Sequence, residues 1–479
     1  MGEAAKLSNA DVRLVSGISI VENLTDIGNA RRFALQAAGN FRYLYERKVW
    51  ICWTGKRWDV DSTGAVMRLA KRVALSIYRE VEFATDAEER SSISQHAYRT
   101  ESKNRLDAMV SLAQSEPGIS IGQLSLDNDP WLFNCQNGTL DLRTGELREH
   151  RREDFITKLA PVEFIPEAKS ELLESFLERI LPDPDVQRYV QKALGYSLTG
   201  DTGLEKLFFA FGPPATGKST LLAAVQEAIG DYSATADFET FLRRSSVSGA
   251  PRNDIARLIG KRFVASVEVE DGKRLAEGLV NQLTGGDTVT ARFLYSESFE
   301  FRPQFKLWLA ANNRPSISGP EGAIWRRLVQ IPFLEEIPAG ERDPDVKARL
   351  RGSERAAVLA WLVQGCLAWQ QEGLQEPKAV QGLTEEYRDE SDPLRDFIEE
   401  CCTINPGAQV VNGDIWAAYR DWVKASGERY PLGRKRFSQA LMGRGLDQYQ
   451  ETTGSRRRIW LGIGLLELLR TGGTDENPF

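Results

Sequence analysis

Apolar residues between positions 203 and 375 fall into short runs that alternate with helical stretches. Four of these runs have the character of buried strands: Lys206–Phe211, Arg262–Glu268, Phe305–Ala311 and Leu328–Phe333. Strands that are apolar throughout are typical of a parallel sheet whose two faces are both covered by helices. This part of the chain is therefore predicted to be an α/β domain built on a mainly parallel sheet.

The pattern changes on both sides of this domain. On the N-terminal side, Trp-rich strand-like runs precede helical stretches over Val66–Phe83 and Ser94–Ala113, a hairpin signal at Thr144-Gly145, and two helices within 170–202. On the C-terminal side, a polar stretch typical of a linker precedes a helix–turn–helix–hairpin pattern. The expected segments are an N-terminal segment (1–45), a mixed α+β accessory domain (46–202), the α/β domain (203–375), a linker (376–395), a winged-helix-like domain (396–466) and a flexible tail (467–479).

Composition narrows the class of protein. The 479 residues suffice for about three domains. Five cysteines without a CxxC pair and only two histidines make a zinc site or a disulfide framework unexpected. No apolar run approaches a membrane span, and the N-terminus lacks a signal-peptide pattern, so a cytoplasmic protein without membrane contact is predicted. The net charge of −7 means that any binding of nucleic acid must depend on local basic patches.

The clearest chemical signature follows the first apolar strand. A Gly-rich loop stands between that strand and a helix-forming run, which is the context of a phosphate-binding loop. Its backbone N–H groups can wrap phosphate oxygens, and the positive end of the following helix points at the same anion. A lysine can reach the β- and γ-phosphates, and a serine can ligate Mg²⁺. The loop predicts binding of ATP or GTP with Mg²⁺ by Gly212, Pro213, Pro214, Ala215, Thr216, Gly217, Lys218, Ser219 and Thr220.

Hydrolysis needs further groups, and the chain offers candidates at the ends of the next strands. Glu268, Glu270 and Asp271 follow the second strand, where they could hold Mg²⁺ or orient water, or simply form a solvated turn. Asn312 follows the third strand, where it could contact the γ-phosphate or cap the strand end. Arg326 and Arg327 precede the fourth strand. One of them could reach the ATP of a neighbouring subunit, or both could be surface residues paired with local acids.

These segments together resemble the superfamily 3 helicases, in particular the helicase halves of phage, plasmid and poxvirus primase–helicases. The matching segments occur in the family's order and cover roughly residues 25–375. They are Asn137–Gly145 (NGTLDLRTG), Ala193–Gly200 (ALGYSLTG), Gly212–Thr220 (GPPATGKST), Leu283–Tyr295 (LTGGDTVTARFLY), Phe305–Pro315 (FKLWLAANNRP) and Trp325–Phe333 (WRRLVQIPF).

The resemblance implies an AAA+-like P-loop ATPase core behind an accessory or collar domain, assembled as a hexameric ring. It also implies translocation on single-stranded DNA, expected to be 3′ to 5′. By position, Glu268 would be the Walker B acid and a Mg²⁺ ligand, Asn312 the sensor, and Arg326 or Arg327 an arginine finger supplied in trans. Because Val269 interrupts the usual adjacent acidic pair, the division of labour among Glu268, Glu270 and Asp271 stays open.

Two regions are candidates for DNA contact. Residues 287–301 alternate as in a β-hairpin, which in the resembling family projects into the ring channel. The tip carries Ser296 and Glu297 where relatives often have a lysine, so a plain hairpin is the alternative. The C-terminal helix and hairpin are rich in basic residues, as in a winged helix that holds phosphates. The predicted DNA-binding residues are Lys273, Arg274, Arg292, Tyr295, Arg434, Lys435, Arg436, Arg456, Arg457 and Arg458.

The interpretation favoured by these features is an ATP-dependent replicative DNA helicase of a phage, plasmid or other mobile element, active in the bacterial host cytoplasm. A ring ATPase that loads, remodels or senses nucleic acid without unwinding is the alternative, because the same ATPase motifs serve both. A DNA-binding scaffold with a decayed ATPase is disfavoured by the intact loop. No primase half is evident, so primer synthesis is not expected, and a separate primase or polymerase is a candidate partner.

Overall fold

A computed structural model of the chain describes residues 22–37, 39–243, 253–267, 273–292, 298–317, 322–427, 431–451 and 457–466. The chain divides into two compact units, one ending at Phe164 and the other beginning at Ile165. In the described part of the chain, none of the helices combines the length and the apolar character needed to cross a membrane.

Over its described residues, the first unit combines four α-helices with two antiparallel-rich sheets. The helices are α1 (Asp26–Ala37), α2 (Ala65–Ile77), α3 (Ala87–Thr100) and α4 (Lys103–Ala113). One sheet has the order β3-β2-β1-β4 and the other the order β5-β6-β7. Their strands are β1 (Phe41–Leu44), β2 (Val49–Trp53), β3 (Trp58–Val60), β4 (Ser120–Ile121), β5 (Leu132–Cys135), β6 (Gly138–Asp141) and β7 (Glu146–Arg148).

Local sequence explains most of this unit. Phe33, Val73 and Met109 from α1, α2 and α4 are fully buried in one core. The hairpin signal is confirmed, since Asp141 pairs with Glu146 and Gly145 adopts a φ of 79° in the turn. The single stretch predicted over Ser94–Ala113 is instead two helices, because the chain leaves α3 after Thr100 and α4 begins after Ser102.

The second unit begins with a helical pair and continues into an α/β region. In chain order its elements are α5 (Glu171–Ile180), α6 (Pro184–Tyr196), β8 (Leu207–Phe211), α7 (Lys218–Ile229), β9 (Ser233–Thr235), α8 (Asn253–Ala256), β10 (Phe263–Val267), α9 (Glu277–Thr284), β11 (Val289–Arg292), β12 (Ser298–Phe301), β13 (Lys306–Ala311), α10 (Ile324–Arg327), β14 (Leu328–Pro332), α11 (Pro344–Leu350), α12 (Arg355–Glu372) and α13 (Lys378–Glu390).

Five strands of this region form one parallel sheet with the order β14-β8-β13-β10-β9. Phe209 and Leu309 join the large core on one face, while Phe208 stacks on Trp308 at 4.6 Å between ring centres on the other. Trp308 Nε1 also donates to Ser197 Oγ, just beyond α6. The predicted α/β architecture with a parallel sheet is therefore confirmed.

Residues 376–395, expected to be a linker, largely form helix α13. The helix packs on the edge strand β14, because the backbone N–H of Gln330 donates to Thr384 Oγ1 at 3.0 Å. Val380 and Tyr387 are buried on the same face. Most other side chains of the helix are polar, which is why composition alone suggests a linker.

The remaining elements form a small helix-and-sheet region. Their order agrees with the predicted helix–turn–helix–hairpin pattern, and the three strands pair antiparallel in the order β15-β17-β16. Phe397, Tyr419, Phe437 and Trp460 are buried together in its core. The elements are α14 (Arg395–Cys401), β15 (Cys402–Val411), α15 (Asn412–Ser426), α16 (Arg434–Gly443), β16 (Gln448–Gln450) and β17 (Arg458–Leu465).

Helices α6 and α12 approach closely at Gly195 of α6 and Gly365 of α12. This contact gives a test of the packing. A Cβ on Gly365 would lie 2.1 Å from the carbonyl oxygen of Gln191. Gly365→Ala should therefore lower the free energy of unfolding by about 1–3 kcal/mol despite the better helix propensity of alanine. Denaturant unfolding measures the change. The matched control is Gly382→Ala in α13, where a Cβ meets nothing within 4 Å. Equal stability of the two variants would contradict this packing.

Candidate functional site

The Gly-rich loop lies between β8 and α7 in a conformation that its glycines permit. Gly212 has a φ of 154°, and a Cβ there would lie 1.8 Å from the carbonyl oxygen of Phe333. Gly217 has a φ of 82° at the N-cap of α7, and a Cβ there would lie 2.5 Å from Ile180 Cγ2. Close neighbours and left-handed backbone thus both require glycine. The loop is held at the start of a 12-residue helix, whose first N–H groups can bind an anion.

Lys218 is folded beneath this loop. Its Nζ donates to the carbonyl oxygens of Gly212 at 2.8 Å and Pro213 at 2.7 Å, and to Thr216 Oγ1 at 3.0 Å. Within the described chain the ammonium has no carboxylate partner. Burial consequently lowers the pKa of Lys218 to about 8. An arriving phosphate would supply the missing negative charge and favour the charged form.

A cavity of about 450 Å³ opens above the loop. Three neighbouring strands contribute to it: the loop follows β8, Val267 ends β10, and Asn312 follows β13 between them. The cavity thus lies at the carboxyl ends of parallel strands, where ligands bind in open α/β sheets. It is lined by Pro214, Ala215, Thr216, Gly217, Lys218, Ser219, Thr220, Val267, Ala310, Ala311 and Asn312.

The structure brings some of the predicted catalytic residues together and leaves others apart. Asn312 and Ser219 are exposed at the cavity, and the buried Lys218 also lines it. The acids Glu268, Glu270 and Asp271 lie outside the described residues, although β10 reaches the cavity at Val267 immediately before them.

Arg326 and Arg327 differ in their surroundings, and neither lines the cavity. Arg327 is 14% exposed, and its Nη2 donates to Glu205 Oε2 at 2.7 Å. Arg326 is exposed, and its guanidinium has no partner among the residues that the structure describes. Of the two, Arg326 is free to meet a second molecule.

A side chain near the site that the sequence motifs do not single out is Arg314, two residues beyond Asn312. It contacts Phe211, which directly precedes the loop, and pairs with Glu386 and Glu390 of α13. A weak signal was present in the sequence, since a basic residue follows the polar strand tip and two acids stand four positions apart further on. Nothing in the sequence links these two places.

The predicted hairpin is present as the antiparallel pair β11 and β12, with Arg292 exposed opposite Ser298. Tyr295 lies outside the described residues. Lys273 and Arg274 are half-buried. The Lys273 carbonyl oxygen accepts from the N–H of Ser316 at 2.8 Å, so this segment is joined to the chain that follows Asn312.

A second cavity, of about 400 Å³, lies in the C-terminal region. It brings Arg434 of α16 together with Arg457 and Arg458 at β17, beside Asn412 and Gly413 at the start of α15. Lys435 and Arg436 are exposed on α16 but do not line this cavity, and Arg456 lies outside the described residues. Three arginines at one concave surface form a site suited to phosphate groups.

Two known domain families match the chain. Residues 30–182 match the family described as "D5 N terminal like", and residues 389–444 match the family described as "Poxvirus D5 protein-like". The first covers the helices and sheets of the first unit and runs to the end of α5. The second covers α14, α15 and α16, which include one side of the arginine cavity.

Curated proteins of large DNA viruses are similar to this chain. A mimivirus protein named "Putative helicase L207/L206" is 28% identical over 63% of this chain and 34% of its own length. The "Putative helicase 022R" of Frog virus 3 is 25% identical over 67% of this chain and 42% of its own length. The "Putative primase C962R" of African swine fever virus is 23% identical over 72% and 39%. The chain thus spans less than half the length of these relatives.

Among solved structures, the apo C-terminal region of NrS-1 matches 88% of this chain and 96% of its own, with a TM-score of 0.48 and 8% sequence identity. The two domain matches and the viral relatives confirm the resemblance predicted from the motifs. Residues 30–182 and 389–444 match D5-type domain families, and the viral relatives bear the names "Putative helicase" and "Putative primase", which is consistent with a resemblance to the superfamily 3 primase–helicases.

Proposed function

We propose that this chain is the ATP-driven motor of a replicative DNA helicase that acts as a ring on single-stranded DNA of a virus or other mobile element. The observation that carries this proposal is the cavity at the edge of the parallel sheet. There the phosphate-binding loop, the end of the strand that leads to Glu268, and Asn312 meet around one space. The expected direction, 3′ to 5′, and the hexameric ring come from the family resemblance.

The residues of the cavity suit ATP with Mg²⁺. Loop N–H groups and Lys218 would hold the phosphates, while Ser219 and Glu268 would hold the metal. Mg²⁺, when bound, supplies charge neutralisation of the phosphate oxygens. Asn312 would orient the attacking water, and Glu268 or Glu270 would accept its proton.

A neighbouring subunit would complete this site. A second cationic side chain stabilises the negative charge in the loose transition state of phosphoryl transfer. Among the described residues that line the cavity, Lys218 is the one cationic side chain. The exposed Arg326 suits that role in trans, whereas Arg327 is already paired with Glu205. ATP turnover at subunit interfaces would couple neighbouring hairpins, each presenting Arg292, to movement along DNA.

The C-terminal region would hold DNA as a winged helix. The order of its helices and strands and the arginine cavity support this role. Primer synthesis is not proposed for this chain. The relative named as a primase is more than twice as long as the part that this chain matches.

Strand displacement on forked DNA tests the proposal. The wild-type chain should release the labelled strand only with ATP and Mg²⁺, and its mass with nucleotide should be that of a ring. Lys218→Ala should abolish ATP turnover and leave the fold unchanged, because it removes the buried ammonium under the loop. ATP turnover without displacement would favour the alternative, a ring ATPase that does not unwind. Turnover by Lys218→Ala would show that the loop is not the site.

Completion in trans is testable by mixing two inactive variants. Arg326→Ala should lower ATP turnover by about 10³-fold or more, as expected for loss of an arginine finger. Mixing it with Glu268→Gln should restore activity, because some interfaces then combine an intact acid with an intact arginine. Arg188→Gln, which removes the exposed ion pair with Glu372, is the charge-loss control. No recovery in the mixture would argue against a shared site.

Salt dependence tests the arginine cavity. Replacing Arg434, Arg457 and Arg458 by Gln should weaken binding of single-stranded DNA, with the slope of log K against log salt reduced by about 2 for three lost phosphate contacts. Arg395→Gln is a control in the same region, since Arg395 already pairs with Glu399. Fluorescence anisotropy over a salt series measures both. An unchanged slope would place these arginines on an ordinary solvated surface.

A further inference from the structure

Arg314 bridges the two strands that deliver the main groups of the proposed ATP site. It lies two residues beyond Asn312, and its side chain is 12% exposed. Its guanidinium carbon lies 4.6 Å from the ring centre of Phe211, the last residue of β8, and 5.3 Å from that of Tyr387 in α13. Phe211 is followed directly by Gly212. The planar guanidinium is thus packed between the residue that precedes the phosphate-binding loop and helix α13.

Hydrogen bonds fix the orientation of this guanidinium. Nη1 donates to Glu386 Oε1 at 3.1 Å and to a carboxylate oxygen of Glu390. Nη2 donates to Oε1 of Gln330 on β14 at 3.2 Å. Since the sheet order is β14-β8-β13, the side chain reaches from the end of β13 past β8 to the next strand.

Helix α13 holds the neighbouring residue as well. The Tyr387 hydroxyl donates to the carbonyl oxygen of Pro315, and Tyr387 is almost fully buried. The following N–H, that of Ser316, donates to the Lys273 carbonyl oxygen. Residues 314–316 are therefore anchored on both sides.

The strand pairing itself stops short of the predicted sensor. The last pair between β13 and β8 is Ala311 with Phe211. Asn312 and Asn313 follow as exposed residues. Asn312 thus sits in a two-residue span between the end of the ladder and the anchored Arg314. The position of Asn312 at the cavity therefore depends on both fixed points.

From this geometry we infer that Arg314 is a positioning residue: it sets Asn312 at the distance from the phosphate-binding loop that hydrolysis requires. The inference rests on the proposed ATPase function. Arg314 does not line the cavity, so it acts through Asn312 and not on ATP itself. Catalytic groups lose effect steeply when displaced, whereas binding of ATP by the loop and Lys218 does not need Asn312 in place.

A double-mutant cycle on the full chain tests this role. Arg314→Gln should lower kcat for ATP hydrolysis by about 10- to 100-fold and leave KM for ATP nearly unchanged. Combining it with Asn312→Ala should give an enzyme no slower than Asn312→Ala alone, because both changes remove the same contribution. Arg314→Lys, which keeps the charge but loses the planar fork, should recover part of the activity. Arg188→Gln is again the charge-loss control.

The melting temperature of each variant, measured by thermal unfolding, shows whether a loss of activity comes from misfolding. If Arg314→Gln proves unstable, Glu390→Gln provides the same test, since it removes one carboxylate partner and keeps the stacked arginine. Effects of Arg314→Gln and Asn312→Ala that multiply, or an unchanged kcat in Arg314→Gln, would overturn the inference. Failure of the wild-type chain to hydrolyse ATP would instead refute the proposed function, so the two failures are distinguishable.

Discussion

The parallel register of β8 with its two neighbours is the constraint on which the site depends. Phe211 pairs with Ala311 on one side and with Pro332 on the other, so three strands end at the same level. The N–H of Phe333 then donates to the Phe211 carbonyl oxygen at 2.8 Å. The carbonyl oxygen of Phe333 lies so close to Gly212 that a Cβ there would be 1.8 Å from it. Only a residue without a Cβ can leave the strand at this point. The Gly-rich loop therefore begins where the sheet forces the chain to turn.

The strands of this sheet were predictable because they are buried on both faces. Such strands are continuous apolar runs, and all four predicted runs coincide with strands to within one residue at the ends that the structure describes. Helix α13 was not predictable by the same means. Only Val380 and Tyr387 are buried along it, so a solvated polar face dominates its composition. Its attachment to β14 is decided by single contacts such as that of Thr384 with Gln330, which leave little trace in composition.

At the site, too, features set by local sequence were predictable, whereas contacts between distant parts of the chain were not. The loop from Gly212 to Thr220 is a local motif whose backbone geometry its own residues dictate. The contacts of Arg314 with Glu390, and of Arg327 with Glu205, join residues far apart in sequence and depend on how helices settle on the sheet. From the sequence alone, Arg326 and Arg327 are therefore equivalent candidates, although their surroundings in the fold differ.

The distribution of positive charge around the cavity explains why the difference between Arg326 and Arg327 matters. Within the described part of the cavity wall, the single cation is the buried Lys218, held by carbonyl oxygens and depressed in pKa by desolvation. A triphosphate brings several negative charges, and its transition state spreads more onto the γ-phosphoryl oxygens. One ammonium beneath the loop does not balance that charge. Arg326 is exposed and does not line the cavity of its own chain. It is therefore the candidate second cation in the proposed site shared between subunits.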